Sequence, residues 1–175
     1  MFVEKEPTHC PHCSGTLESR IVTVGDRERL VCSQCGFVFY LGPKLAAGTL
    51  PTIDGRVVLA RRAVEPGYGK WTYPGGYVER FETVPDAAKR ETGEEVNLDV
   101  ALEGILGVYS YPTSLIVVVV YLARAVGGQF SAGHETLEVC SFAPSEIPWE
   151  ELAFSSTRDA ILDWARHYGV TLNRR

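Results

Sequence analysis

The sequence predicts an α/β fold: a mixed sheet held between helices as an α/β/α sandwich, preceded by a small N-terminal ribbon built on cysteines. Three observations point there. Two Cys-x-x-Cys pairs, Cys10-Pro-His-Cys13 and Cys32-Ser-Gln-Cys35, fall in a short β-rich stretch. Beyond them, many strand-like runs accompany only two helical patterns, one in mid-chain and one near the end. The run Ser114 to Arg124 is valine-rich and almost uniformly apolar, as expected of a strand buried on both faces. The expected division is a ribbon over residues 1–40 and an α/β domain over 41–175.

In the ribbon, Arg20 to Val24 and Glu28 to Val31 read as strands about a turn at Gly25-Asp26, and Phe37 to Tyr40 continues as a strand. Ala46 to Ile53 and Val57 to Ala60 flank Asp54-Gly55, a strong hairpin signal. Trp71 to Tyr73 is a short strand. Thr83 caps the first helix, with Pro85 in its first turn and Asp86 in a capping-box-like position. Asn97 falls where that helix ends, and it tolerates the left-handed conformation used there. Gly104 to Tyr109, Ser114 to Arg124 and Leu137 to Phe142 read as strands, with a turn at Gly127-Gly128. The last helix starts near Ser155-Ser156 and runs to about Tyr168, with Ile161, Trp164, Ala165 and Tyr168 on one stripe and Gly169 after it.

With 175 residues, 45% apolar and 22% charged, the composition is that of an ordinary globular protein. A net charge of −5 gives no basic footprint for nucleic acid. The N-terminus lacks a secretory pattern, and the longest apolar run is too short for a spanning helix. The expectation is therefore a cytoplasmic chain with no membrane and no nucleic-acid partner. In that setting disulfides are rare. Cys10, Cys13, Cys32 and Cys35 then read as a tetrahedral zinc site, structural because four thiolates leave no open position. His9, just before the first pair, and His12, within it, are alternative ligands that two complete cysteine pairs make unnecessary. Cys140 reads as a small strand side chain.

The densest chemistry lies between Gly76 and Leu98. Glu91, Glu94 and Glu95 sit at i, i+3 and i+4, on one helix face. Like charges so placed repel, so the arrangement makes sense around a hard divalent cation, Mg²⁺ or Mn²⁺. Arg90 suits bidentate orientation of a carboxylate, and Glu82 either binds metal or braces the helix, bracing being favoured. The order Gly76, five residues, Glu82, seven residues, Arg90-Glu91, then Glu94-Glu95 and Leu98 resembles the Nudix box. Thr92 and Asn97 depart from it, standing where the family has an apolar residue and Gly, and Phe81 stands where a Gly is common.

Flanking segments extend the likeness over nearly the whole chain: Gly-Pro-Lys, Arg-Arg-Ala, Trp-Thr-x-Pro and Leu-Ala-Phe-Ser-Ser. Together with the cysteine ribbon they look like the zinc-ribbon subgroup, which includes bacterial ADP-ribose pyrophosphatases and the plant chloroplast FAD and ADP-ribose pyrophosphatase. The resemblance implies a Nudix hydrolase that cleaves a nucleoside diphosphate linked to another moiety, ADP-ribose or FAD foremost, with Mg²⁺. It implies metal contacts from Glu91, Glu94, Glu95 and the Gly75 carbonyl. A further loop glutamate is implied, Glu135 ahead of Glu138, leaving Glu91 and Glu135 as alternatives for the base. Arg61 and Arg62 are candidates for phosphate, and Tyr73, Tyr109 and Tyr111 for stacking on a base. A non-catalytic nucleotide-binding regulator and a nucleoside triphosphate hydrolase are the competing readings. A homodimer is left open.

Overall fold

The computed structural model describes residues 6–129 and 131–172. Its contacts separate into two compact units, Met1–Gly42 and Pro43–Arg175, each with its own core.

In the first unit, β1 (Leu17–Ile21), β2 (Glu28–Cys32) and β3 (Val38–Phe39) form an antiparallel sheet in the order β1-β2-β3. Its core is Cys10, Leu17 and Cys32, with Leu30 and Phe39 packed on it. Backbone bonds close each knuckle: Ser14 N–H to Cys10 O at 2.9 Å and Gly36 N–H to Cys32 O at 3.1 Å. Both turning residues are left-handed, Ser14 at φ 62° and Gly36 at φ 73°. In the first knuckle, then, the turn falls on Ser14. Gly15 matters for space, since a β-carbon there would lie 3.0 Å from Cys32 Sγ.

The second unit holds a seven-stranded sheet. Its path is β10 (Thr136–Phe142), β5 (Arg56–Arg62), β4 (Lys44–Ile53), β9 (Ile116–Gly128) and β8 (Leu98–Ser110), with β6 (Trp71–Thr72) on β5 and β7 (Gly75–Tyr77) on β4. Only β4 and β9 run parallel, which makes the sheet mixed. The Asp54-Gly55 turn has positive φ at both residues, 49° and 74°, as a type I′ hairpin requires. Past that turn β4 and β5 pair only at Thr52↔Val57 and Ile53↔Arg56. They then diverge, and β6 and β7 fill the opening, which lays Gly75 beside Gly48 of β4.

Helix α1 (Val84–Val96) and helix α2 (Ser155–Tyr168) cover opposite faces. Alternation along the strands shows this directly. Leu50, Val57 and Leu59 pack with Ile161 and Trp164 of α2, while Ala47 packs with Ala87 and Ala88, and Val58 with Val96, of α1. Thr83 caps α1, accepting from Asp86 N–H, and Asn97 ends it at φ 54°.

Several sequence expectations shift: β1 runs Leu17–Ile21 rather than Arg20 to Val24, and β3 covers only Val38–Phe39. Strand β8 begins at Leu98, directly after the helix, rather than at Gly104. Gly127 and Gly128 are not a free turn; they end β9, paired with Asp99 and Leu98. Cross-strand pairing extends both strands past the point where local pattern fades, with register shifts near Gly104 and Gly107. Among the described residues no helix is long and apolar enough to cross a membrane.

Candidate active site

A cleft of about 960 Å³ opens in the second unit, and the carboxylates of α1 line it. Arg90 organises them. Its Nε and Nη2 grip Glu82 at 2.8 and 3.1 Å, and Nη1 donates to Glu91 at 2.9 Å and Glu94 at 3.0 Å. Nη2 also donates to Tyr77 O at 3.2 Å. A guanidinium has five N–H donors, and these bonds engage all of them. Arg90 therefore orients carboxylates and has no donor left for a ligand. Its guanidinium in turn holds the Glu82 carboxyl below the usual range. Glu82 does not line the cleft; it accepts from Arg90 at 2.8 Å and from Glu79 N–H at 3.1 Å.

Two glycines bring strand and helix close enough for this. A β-carbon on Gly76 would meet Glu91 Oε1 at 2.5 Å. The Gly75 N–H donates to Glu95 Oε2 at 2.9 Å. Burial pushes the Glu95 carboxyl up to about 7 despite that bond, with Glu91 and Glu135 adding repulsion and Arg62 easing it. Burial also raises Glu91, against the pull of Arg90, with Glu94 and Glu135 contributing. Six glutamates line the cleft (Glu65, Glu79, Glu91, Glu94, Glu95 and Glu135) against two arginines, Arg62 and Arg90. Hard oxygen donors with uncompensated charge fit a divalent cation.

Glu135 arrives from a loop that is tied down. Gly133 N–H donates to Glu95 O at 3.0 Å, Ser131 N–H to Val96 O at 3.1 Å, and Ala63 N–H to Glu135 O at 2.8 Å. Asn97 adds its side-chain amide to Gln129 O at 3.1 Å and Ser131 Oγ at 3.3 Å. Gly133 is a close contact, where a β-carbon would lie 1.9 Å from Glu94 O.

Of the remaining candidates, Gly75, Arg62, Tyr73, Tyr109 and Tyr111 line the cleft, and Arg61 does not. Arg61 donates its Nε to Gly69 O at 2.8 Å, lies over Trp71 and faces Glu138 at 3.6 Å. Arg62 donates its Nε to Pro66 O at 2.7 Å and lies over the Phe154 ring. Cys140 and Glu138 sit together away from the cleft, with Sγ 3.5 Å from Oε1. Sequence reasoning gave no role to Glu79, Phe154 or Ser156, which also line the cleft. Glu79 occupies the gap of the box where the pattern leaves residue type open. Phe154 and Ser156 stand in the quoted Leu-Ala-Phe-Ser-Ser segment, where only their position near a helix start hinted at use.

In the first unit the four cysteine sulfurs lie within 4.8 Å of one another. Cys13 and Cys32 are 3.4 Å apart and Cys10 and Cys35 3.7 Å, near the roughly 3.8 Å of a zinc–thiolate tetrahedron. The Cys35 N–H, 3.4 Å from Cys32 Sγ, leads the contacts that bring the Cys32 thiol down to about 6. His9 bonds Thr8 and His12 stacks on Phe37. The four thiols fit zinc without either histidine.

Comparison with known proteins agrees with this geometry. Residues 42–165 match the NUDIX domain family and residues 8–41 the Nudix N-terminal family, a zinc ribbon. This chain belongs to the Nudix hydrolases, enzymes that cleave pyrophosphate bonds in nucleotide-derived small molecules with a divalent metal. An ADP-ribose pyrophosphatase from Methanocaldococcus jannaschii is 33% identical over 131 residues, covering 73% of this chain and 76% of that protein. The crystal structure of a NUDIX hydrolase from Nitrosomonas europaea aligns with TM-score 0.86 and 34% identity, over 96% of this chain and 97% of that one. A MutT NUDIX hydrolase from Burkholderia pseudomallei aligns at TM-score 0.63 and 28% identity, over 69% and 97% respectively.

Proposed function

We propose that this chain hydrolyses ADP-ribose to AMP and ribose 5-phosphate, with FAD as a second ADP-linked substrate, in a Mg²⁺-dependent reaction in which Mn²⁺ can substitute. The observation that carries this reading is the convergence of Glu91, Glu94, Glu95 and Glu135 on one cleft that is also lined by tyrosines. The archaeal relative named as an ADP-ribose pyrophosphatase supports the choice of substrate. A volume of about 960 Å³ lies at the upper end for small-molecule sites and leaves room for a dinucleotide.

Glu91, Glu94 and Glu95, with the Gly75 carbonyl, are the groups that would hold the Mg²⁺. When bound, the ion offsets phosphate charge and acidifies water. Glu135 is the residue this reading assigns as proton acceptor. Its carboxylate faces His134 at 3.9 Å and lies near the carboxylates of Glu91 and Glu95, whereas Glu91 is already engaged by Arg90. Water attacks one phosphorus, the bridging P–O bond breaks, and the second phosphate leaves with the bond's electrons. Arg62, fixed by Pro66 O and Phe154, is the cation given to a substrate phosphate. In the ribbon the four thiolates would hold a zinc ion and leave it no open position, which makes its role structural.

The test is a Mg²⁺-dependent screen over ADP-ribose, FAD, NADH, nucleotide sugars and nucleoside triphosphates, with products identified by mass. AMP from ADP-ribose or FAD is expected, falling by about a hundredfold or more in Glu95→Gln. Tight binding without turnover would instead support the regulator reading, and turnover confined to triphosphates the pool-cleaning one.

A further inference from the structure

Four tyrosines line the cleft, Tyr73, Tyr77, Tyr109 and Tyr111, and all but Tyr77 share one arrangement. Tyr109 donates its hydroxyl to Asp163 Oδ2 at 2.8 Å, and Tyr111 donates to Asp159 Oδ2 at 2.5 Å. The Tyr73 hydroxyl is hydrogen-bonded to Ser156. All three partners belong to α2, and positions 156, 159 and 163 share one helical face. Rings that enter from separate parts of the chain are thus anchored along a single helix.

A packing role alone does not account for the carboxylates. Phenylalanine would fill the same space, and Asp159 and Asp163 stand at i and i+4, where like charges repel, with Arg166 pairing Asp163 alone at 2.7 Å. They make sense as acceptors that hold hydroxyls in place. Burial first, and then the adjacent aspartate, raises both Tyr109 and Tyr111 well above an ordinary phenol, so the hydroxyls stay protonated and donating. Tyr73 and Tyr109 are almost fully buried, while Tyr111 is half-buried and the most accessible of the three. With its hydroxyl engaged by α2, what Tyr111 offers a ligand is its ring.

We propose that Tyr111 is the stacking surface for the aromatic base of the nucleotide half, that Asp159 is its positioning residue, and that the tyrosine hydroxyls do not read the edges of the base. This rests on the ADP-linked substrate reading above and names the part of the cleft that takes the base.

Equilibrium binding of AMP, IMP and ribose 5-phosphate to the full chain in Mg²⁺ tests it, alongside KM and kcat for ADP-ribose and a thermal melt of each variant. Tyr111→Leu should weaken AMP by about tenfold, within the usual range for one base–aromatic stack, and leave ribose 5-phosphate unchanged. Asp159→Ala, which removes the acceptor, should weaken AMP several-fold and raise KM while kcat holds. Added to Tyr111→Phe, it should do nothing more, because both remove the same bond. The ratio of AMP to IMP affinity should be the same in Tyr111→Phe as in the unmodified chain.

Additive effects of the two substitutions, a shifted AMP to IMP ratio, weakened ribose 5-phosphate with AMP intact, or no AMP binding at all would each overturn the proposal. AMP binding that depends on Tyr111 in a chain that does not hydrolyse ADP-ribose would uphold the stacking surface and remove the substrate assignment. Turnover of ADP-ribose insensitive to Tyr111→Leu would do the reverse.

Discussion

A β-carbon added at Gly133 would lie 1.9 Å from the Glu94 carbonyl oxygen, a backbone atom that cannot rotate away. Gly133→Ala must therefore move either the loop that carries Glu135 or the end of the helix that carries Glu94 and Glu95. The expected cost is about 1–3 kcal/mol of stability, the usual range for overpacking. The expected fall in kcat is about a hundredfold, since displacement of catalytic groups by an ångström can cost that much. Melting and steady-state assays together check it; a variant with unchanged kcat would show that Glu135 need not be held where it is. Residue identity alone is uninformative at such positions. Gly133 reads in sequence as an ordinary loop residue, and only the contact with α1 gives it meaning, whereas Glu135 stood out there through the resemblance alone. Asn97 is similar. It adopts the left-handed conformation that Gly would, and its amide also tethers Gln129 and Ser131.

At the scale of elements, each helix is fastened to the sheet by a buried threonine pair. Thr49 of β4 meets Thr92 of α1 at 2.7 Å, and Thr72 of β6 meets Thr157 of α2 at 2.9 Å. In the first pair Thr92 donates to Ala88 O at 2.6 Å, so the shared proton comes from Thr49. That fixes the sign of a mutational cycle. Thr92→Val strands a buried donor on Thr49 and should cost about 1–3 kcal/mol. Thr49→Val should cost less, and the double variant should recover much of the loss, because no unpaired donor remains. Urea denaturation of the three variants decides it, and strictly additive losses would refute the coupling. Both helices and the Asp54-Gly55 hairpin were legible in the sequence because caps, Pro and Gly signals act locally. The early start of β8 and the pairing of Gly127 and Gly128 were not, since partner strands hold those residues in place.

At the scale of the whole molecule, the two compact units have separate cores and separate sources of stability. The core of the first unit is small and includes two of its four cysteines, so zinc held by the four thiolates would supply much of what keeps it folded. Structural zinc contributes about 10–16 kcal/mol in small domains at neutral pH. Chelation should therefore unfold residues 8–41 and expose them to protease, while the transition of Pro43–Arg175, whose core contains no zinc ligand, stays near its original temperature. Elemental analysis of the untreated chain should find a single bound zinc, and Cys32→Ser should lower its retention. A ribbon that resists both chelation and protease would rule out that role for the metal.

By itself the sequence determined the family, the α/β class, the cysteine cage and the carboxylate face of α1. Each of these is written in spacing along one segment, where the helical period or a tight turn converts order directly into geometry. The tertiary structure decided which groups share the cleft. It separated Arg61 from Arg62, engaged every donor of Arg90 and pinned Glu135 against α1. It also turned three tyrosine hydroxyls toward α2. Those outcomes depend on strand register and on close backbone approach between segments far apart in the chain, and neither leaves a local pattern to read.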